Sequence, residues 1–425
     1  MKKVDIHVFS VCNQTFRKGT SMSTSLLYHG CGIQGYKYIR TYFRNGEIIF
    51  KIDHDRFSLR CPNCRSRKFS LKGKYTRLIR SLPIGSKPVF IELPIQRIHC
   101  HQCDTIRQVK IKFADERRTY TRSFERYALE LSRHMTIKDV AQHLGVGWDL
   151  IKDIQKRYLG KKYCKPILKN ITQIAIDEIN IGKGHKYLTI VLNLDTGAVV
   201  FVGDGKGSDA LKPFWKRLNK TKETIKSVAI DMSPAYISAV LNNLPDAVLV
   251  FDHFHVIKLF NDKLSKLRRD IQREAEGPLQ KKVLKGTRWL LLKNPENLND
   301  DKNEKDRLED ALKLNKPLAT AYYLKEDLRQ IWNQPNKADA KKVLLSWMAK
   351  ARSSKIRTLM KFANTLATHS FGILNYYDYP ISTGPLEGTN NKIKTLQKTA
   401  YGFRDMDFFK LKIHALHESR YALVG

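Results

Sequence analysis

Acidic residues are scarce in this chain. Across 425 residues, 41 Asp and Glu stand against 77 Lys and Arg, for a formal net charge of +36. An excess of that size argues for a polyanionic partner, since each phosphate neutralised releases counterions. Long apolar runs are missing too. No stretch reaches the ~18 uninterrupted apolar residues of a membrane helix, so no membrane partner is expected. Met1-Lys2-Lys3-Val4-Asp5 is not followed by the apolar core of a secretory signal. Cysteines number seven, an odd and sparse set that excludes a disulfide-stapled secreted scaffold. A reduced, cytoplasmic protein is expected. Its 42% apolar content and its length suit two to four domains.

Four of the seven cysteines do pair, as Cys61-Pro62-Asn63-Cys64 and Cys100-His101-Gln102-Cys103. Each CxxC is a tight knuckle, and two knuckles at the base of a β-hairpin supply four thiolates to a tetrahedral, structural Zn²⁺. The 35 intervening residues exceed the usual ~15–20. Pro83, Gly85 and Pro88 near their middle, flanked by β-rich runs such as Pro88–Leu93, predict a long hairpin: a zinc ribbon over about 55–108. With four thiolates at hand, His54, His99 and His101 read as bystanders. From Arg60 to Lys112 there are 13 Lys/Arg and 2 Asp/Glu, so Lys72, Lys74, Arg77 and Arg80 are expected to meet phosphate. Upstream only Ile48–Ile52 reads as a strand, and Cys12 and Cys31 lack partner spacing.

Residues 123–158 carry helical signals. Phe124–Leu131 is one helix. Thr136 with Asp139 three residues later starts another, in the manner of a capping box. Gly145-Val146-Gly147 breaks it, and Trp148–Tyr158 resumes. Helix, short glycine turn, helix is the helix-turn-helix pattern, whose second helix enters the major groove. Lys152, Lys156 and Arg157 would then contact DNA, and Trp148 reads as a packing residue. A basic linker, 161–170, follows.

From Ile171 the period changes to that of strands. Ile171–Asp177 ends in an acid. Lys186–Leu194 and, after the turn Asp195-Thr196-Gly197, Ala198–Val202 complete a meander. Ser208 can cap a helix to about Asn219. Ser227–Asp231 is a strand that again ends in an acid. Pro234 opens a helix, where its missing N–H costs nothing, and Ala247–Asp252 is a fifth strand. The fourth strand, reached by a helical crossover, should lie parallel to the first, bringing Asp177 and Asp231 to one edge. Two like charges so close call for a cation, and Mg²⁺ (or Mn²⁺) suits carboxylate and phosphate oxygens. Gly203, Gly205 and Gly207 lack the Gly-Lys-Ser/Thr ending of a phosphate loop. Residues 257–375 read as all-helical, and Ser382–Lys394 as a loop entering a helix with Glu387 in its first turn, where Asn390, Lys394 and Arg404 give a polar face suited to DNA phosphates or to Glu387 itself. Asp252 and His255 stay open between site membership and local roles, a helix cap and a structural hydrogen bond.

The CxxC…CxxC head, Ile176-Asp177-Glu178, Asp231-Met232-Ser233, Asp252-His253-Phe254-His255-Val256 and Glu387-Gly388-Thr389-Asn390-Asn391-Lys392-Ile393-Lys394 together resemble the DDE transposases of bacterial insertion sequences, the ISL-three type. The resemblance covers nearly the whole chain. It implies a multidomain α/β protein: an N-terminal region (1–112), a helix-turn-helix domain (113–160), and a ribonuclease-H-like mixed sheet (171–256 and 376–425; β-β-β-α-β-α-β-α) interrupted by a helical insertion (257–375). It implies Asp177, Asp231 and Glu387 as a catalytic, Mg²⁺-binding triad, with Asp177 bridging two ions. It also implies cleavage at terminal inverted repeats, strand transfer into target DNA, a homodimer or larger assembly on DNA, and a nucleoid-associated location in a bacterium. Two other readings keep the fold: a catalytically silent DNA-binding regulator, and a nuclease that cuts without joining.

Overall fold

A computed structural model describes residues 22–182, 184–221, 223–275 and 277–417. The readings of Met1–Asp5 and Cys12 lie outside the described residues. The chain forms two compact units, dividing between Arg157 and Tyr158.

The first unit runs α1 (Met22–His29), β1 (Tyr36–Arg44), β2 (Glu47–His54), β3 (Phe69–Ile84), β4 (Lys87–Cys100), β5 (Thr105–Gln108), α2 (Arg122–Leu131), α3 (Ile137–Leu144) and α4 (Trp148–Tyr163), the last crossing the division. Its sheet has the order β1-β2-β4-β3, with β5 added to β4. Strand β1 was not foreseen. Its signal is the turn Asn45-Gly46, both at positive φ (50° and 79°), the residue pair that best fits a two-residue hairpin between right-twisted strands. Around it β1 offers no apolar run, only alternation of half-buried and exposed positions.

The β3–β4 hairpin closes tightly, with Ile84 paired to Lys87. It is longer than a zinc knuckle needs because it does two jobs. At its base Phe69 pairs with Cys100. Toward its tip β4 pairs with β2 in parallel, and Ile79, Val89, Ile91 and Leu93 share a core with Phe50 and Ile52. Thr136 caps α3: its hydroxyl accepts the Asp139 N–H (3.2 Å) and donates to the Asp139 carboxylate (2.6 Å). Gly145, at φ 62°, ends α3 in the left-handed region. Phe124, Ala128, Val140, Leu144, Ile151 and Ile154 form the core of the three helices.

The second unit continues with β6 (Gln173–Gly182), β7 (Lys186–Asn193), β8 (Val199–Asp204), α5 (Ser208–Leu218), β9 (Ser227–Ile230), α6 (Pro234–Asn243), β10 (Val248–Phe251) and α7 (His253–Glu274). The sheet order is β10-β9-β6-β7-β8; β6, β7 and β8 are antiparallel, while β9 runs parallel to β6 and β10 parallel to β9. Two expectations need correction. Asp177 is not at the end of its strand: β6 continues to Gly182, because residues beyond Asp177 keep pairing with β7 after β9 has stopped. Ser208 does not cap α5; Gly207, at φ 84°, does.

Helices α8 (Pro278–Gly286), α9 (Arg288–Leu292), α10 (Glu304–Lys313), α11 (Lys316–Arg329), α12 (Lys337–Ser353) and α13 (Arg357–Leu374) follow, then α14 (Gly384–Thr399) and α15 (Met406–His414). Trp347, 1% exposed, packs on Phe260 and Phe362 and donates its indole N–H to the Leu324 carbonyl (2.7 Å). No helix among the described residues is long and apolar enough to cross a membrane.

Helix α13 returns to the sheet at Gly372, where a Cβ would stand 2.4 Å from the ring of Phe251. Phe251 is wholly buried and adjoins Asp252. Gly372→Ala should therefore overpack this seam and cost the second unit about 1–3 kcal/mol. A urea transition within about 0.5 kcal/mol of wild type, the scatter of a neutral surface change, would show that the seam yields freely.

Candidate active site and metal centres

The parallel registers set up a row of acids. Ala175 of β6 lies level with Ala229 of β9, which lies level with Val250 of β10. Two residues further along each strand direction stand Asp177, Asp231 and Asp252. Odd and even positions alternate between faces, so the three aspartates emerge on one side at the carboxyl edge of the parallel strands, where open α/β sheets place their ligands.

Each is held differently. Asp177, half-buried, accepts the Glu178 N–H (2.8 Å) on one oxygen and the Asn390 side-chain N–H (2.9 Å) on the other. Burial pushes its carboxyl above the usual range, the Asp231 charge adds to this, and the Glu178 N–H and nearby His255 pull the other way. Asp231 accepts the Ser233 N–H (2.9 Å), a tight turn into α6. Asp252, 2% exposed, occupies the N-cap position of α7 but turns its side chain away from that helix to accept the Thr383 hydroxyl (2.6 Å). Its other oxygen has no hydrogen-bond donor; the His253 ring nitrogen stands 3.4 Å away.

Helix α14 crosses these strand ends. Thr383, immediately before it, sits at Asp252; Asn390 sits at Asp177; Gln397 reaches the Ile181 carbonyl on the same strand as Asp177. Seven residues of helix span ~10.5 Å, and the two strand spacings from β10 to β6 span ~9.6 Å. Glu387, four residues after Thr383 and three before Asn390, therefore falls on the helix face that carries both attachment points. Its carboxylate is exposed. Lys394 continues this face; it and Arg404 are exposed. A cleft beside Asp231 is lined by His255 and Lys258, one turn apart on α7. Lys258 was missed from sequence, although its i+3 spacing from His255 was readable.

The donor set fits hard cations: carboxylate oxygens, with buried Asp252 and Asn390 oxygens lacking donors nearby. The Asp177, Asp231 and Glu387 oxygens are not gathered within 4.8 Å; among the described residues only the four cysteines form such a group. Ligands that embrace two ions ~3.5–4 Å apart spread wider than that.

The cysteines fit zinc closely. Cys61 and Cys103 sulfurs are 3.7 Å apart, Cys64 and Cys100 3.4 Å, against ~3.8 Å between thiolates on a tetrahedron of ~2.3 Å Zn–S bonds. The Thr105 hydroxyl, 3.1 Å away, brings Cys103 down to about 6, near the thiolate form that binds metal. His99 is turned to Asp104 (2.7 Å).

The basic residues of the first unit divide. Lys72 and Lys74 are exposed on β3, and Lys152 and Lys156 are half-buried on α4. Arg77 is half-buried and donates to the Arg118 carbonyl. Arg80 departs from its expected role at phosphate: it is 8% exposed, donates to the Leu144 carbonyl (2.8 Å) and lies over the Phe90 ring (5.0 Å). Arg157 departs likewise, paired with Glu125 and bonded to the Tyr120 hydroxyl (3.0 Å). Trp148, read as packing, is 54% exposed at the start of α4. A cleft of about 700 Å³ gathers Arg97, Arg107 and Arg117 with Arg77 around Tyr75 and Ile95; these arginines were missed because they come from separate strands and a loop.

Known sequences agree with this layout. The transposase domain of ISL3-type DDE enzymes matches residues 174–413, the helix-turn-helix domain of the ISL3 transposase family matches 109–159, and the zinc finger of the transposases of IS204, IS1001, IS1096 and IS1165 matches 58–103. The transposase of insertion sequence IS1001 from Bordetella parapertussis is 32% identical over 359 residues, 84% of this chain and 88% of that protein. The chain belongs to the ISL3 family of transposases. The transposase of IS1557 from Mycobacterium tuberculosis is 27% identical over 371 residues, 81% of this chain and 82% of the relative. As an ISL3 transposase the chain is a DDE enzyme that binds and cleaves DNA, with a structural Zn²⁺ in its head and a divalent ion such as Mg²⁺ at its acids.

Metal analysis of the purified protein should give one zinc per chain, and close to none for Cys64→Ala or Cys100→Ser. A variant lacking two of the four thiols that retained full zinc would mean the ion is held elsewhere.

Proposed function

We propose that this transposase cuts at the inverted-repeat ends of its insertion sequence and joins them to target DNA, using Asp177, Asp231 and Glu387 as its triad. The observation that carries this is α14, which crosses the Asp177–Asp231–Asp252 row with Glu387 between its two attachment points. The sheet serves as a ribonuclease-H-like core, and residues 257–375 are an all-helical insertion between its fifth strand and α14. Asp177, on the central strand, would hold the divalent cation together with Asp231 and Glu387 from the neighbouring strand and helix. A divalent cation there supplies the positive charge that in-line displacement at a phosphodiester requires. Lys258 and Lys394 flank the acids and hold the DNA phosphates on either side. Water attacks the phosphodiester at the element end and releases a 3′-hydroxyl; that hydroxyl then attacks a target phosphodiester and displaces the target's own 3′-hydroxyl, so one P–O bond forms as another breaks and no protein–DNA covalent bond is made. His255 lines the same cleft as Asp231 and faces the incoming strand there. Two protomers synapse the two ends, in the cytoplasm at the nucleoid.

Asp177→Asn, Asp231→Asn and Glu387→Gln should each lower Mg²⁺-dependent nicking of a duplex carrying the flanking repeat by at least ~10³-fold, the scale on which a single preorganised charge-stabilising group acts. DNA affinity should change little. Wild type that binds but never cuts favours the regulator; cutting without joined product favours the nuclease.

In the first unit the exposed arginines, rather than Arg80 and Arg157, meet the phosphates. Replacing Arg97 and Arg107 together by Ala should lower the slope of log affinity against log salt by about 2, roughly one per lost phosphate contact. An unchanged slope would leave that cleft without a role in DNA binding.

A further inference from the structure

Asn390 was first read as a DNA contact, and its surroundings speak otherwise. It is 7% exposed. Its side-chain N–H points at Asp177, 2.9 Å from the carboxylate oxygen that the Glu178 N–H leaves unused. Its side-chain carbonyl is buried with no donor. One amide hydrogen is given to Asp177, so a phosphate could accept only from the second, and the adjoining carboxylate and orphaned carbonyl would both repel it.

We propose that Asn390 is a positioning residue for the ion site: it holds the Asp177 carboxylate in one orientation and leaves its own carbonyl for a water in that site. This rests on the reading of Asp177 as a metal ligand. An amide suits the task better than its alternatives. A lysine or arginine in that place would neutralise Asp177 and compete with the cation. A second carboxylate would repel it or share its proton. The amide donates one neutral hydrogen bond, which fixes the carboxylate plane while preserving its charge. Buried carbonyls without a donor cost about 1–3 kcal/mol, so a water at the site that can donate is favoured there. The bond also joins β6 to α14 across 213 residues of sequence, and Glu387 stands about one helical turn before Asn390 on that helix.

Partners that orient metal ligands in this way are worth about 10–100-fold in metal affinity. The test is a Mn²⁺ titration of the full zinc-loaded chain, read as free Mn²⁺ by electron paramagnetic resonance. It runs beside the affinity of each variant for random-sequence duplex DNA in buffer without added divalent metal and without chelator, so that the head keeps its zinc. Asn390→Leu, close in volume and without donors, should weaken Mn²⁺ at least 10-fold with DNA affinity within twofold of wild type. Asp177→Asn should remove most of the titration. If Asn390→Leu binds Mn²⁺ as wild type does, the positioning role is wrong. If it instead loses DNA affinity and keeps Mn²⁺, Asn390 is a phosphate contact. If Asp177→Asn titrates like wild type, the ion-site reading itself fails, whatever Asn390 does. Should Asn390→Leu not fold, Asn390→Ser is read by the same criteria, since its short hydroxyl does not span the gap.

Discussion

The site depends on how α14 is fastened. Three hydrogen bonds do it: Thr383 to Asp252 at one end, Asn390 to Asp177 seven residues later, and Gln397 to the Ile181 carbonyl seven beyond that. Neutral hydrogen bonds contribute about 1 kcal/mol net, and those to charged groups about 1.5–3. Their geometric consequence is larger than their energy. A helix has a fixed rise, so fixing two of its residues on two strands fixes every side chain between them. Glu387 is the acid between them. The leverage also acts in reverse: two of the fasteners are themselves carboxylates of the strand-end row, so groups that orient the helix are those its glutamate must join.

A row of acids at one edge is costly without cations, and the rest of the chain shows how the cost is contained. Asp231 is given only a backbone N–H, Asp177 a backbone and an amide N–H, and Asp252 a hydroxyl. Among the described residues no lysine or arginine forms an ion pair with any of them, although such residues make up 77 of 425; Asp252 has the His253 ring at 3.4 Å. Elsewhere in the molecule basic side chains are freely spent on structure, as with Arg80 on Leu144 and Arg157 on Glu125. Keeping fixed cations off these carboxylates leaves their charge for a mobile one, and the charged excess is left for the DNA.

Much of this was legible because the local signals are strong. Short apolar runs ending in aspartate, with Pro234 opening the next helix, mark β9 and β10 to within a residue or two. Two CxxC knuckles at a spacing too long for a bare ribbon foretold an extended hairpin. The failures share a physical cause: they depend on what covers a strand, which local sequence does not encode. Lys74 and Arg80 lie on β3 six residues apart, hence on one face, yet Lys74 is exposed and Arg80 is sealed under α2 and α3. The extension of β6 past Asp177 exists because β7 is there to pair with it. Strand β1 was announced only by Asn45-Gly46, a turn signal outweighed by the lack of an apolar run.

The long helical segment between Asp252 and Thr383 raises a geometric question: how the chain leaves the strand-end row for some 130 residues and returns to it in register. The answer lies at β10. The chain departs at Asp252 into α7, whose Phe260 enters the same core as Trp347 and Phe362. It comes back along α13, seats Gly372 against Phe251, and ties Asn375 to the Leu249 carbonyl (2.9 Å). Departure and return thus use neighbouring residues of one strand, so the sheet sees a closed loop whatever its length. The entropy of closing such a loop rises only with the logarithm of its length, about 0.6 kcal/mol per doubling. A segment anchored in this way can grow or shrink with little penalty to the site, provided the staple at Phe251 survives. The constraint that ties distant acids together is therefore local in space, a few side chains around the end of β10.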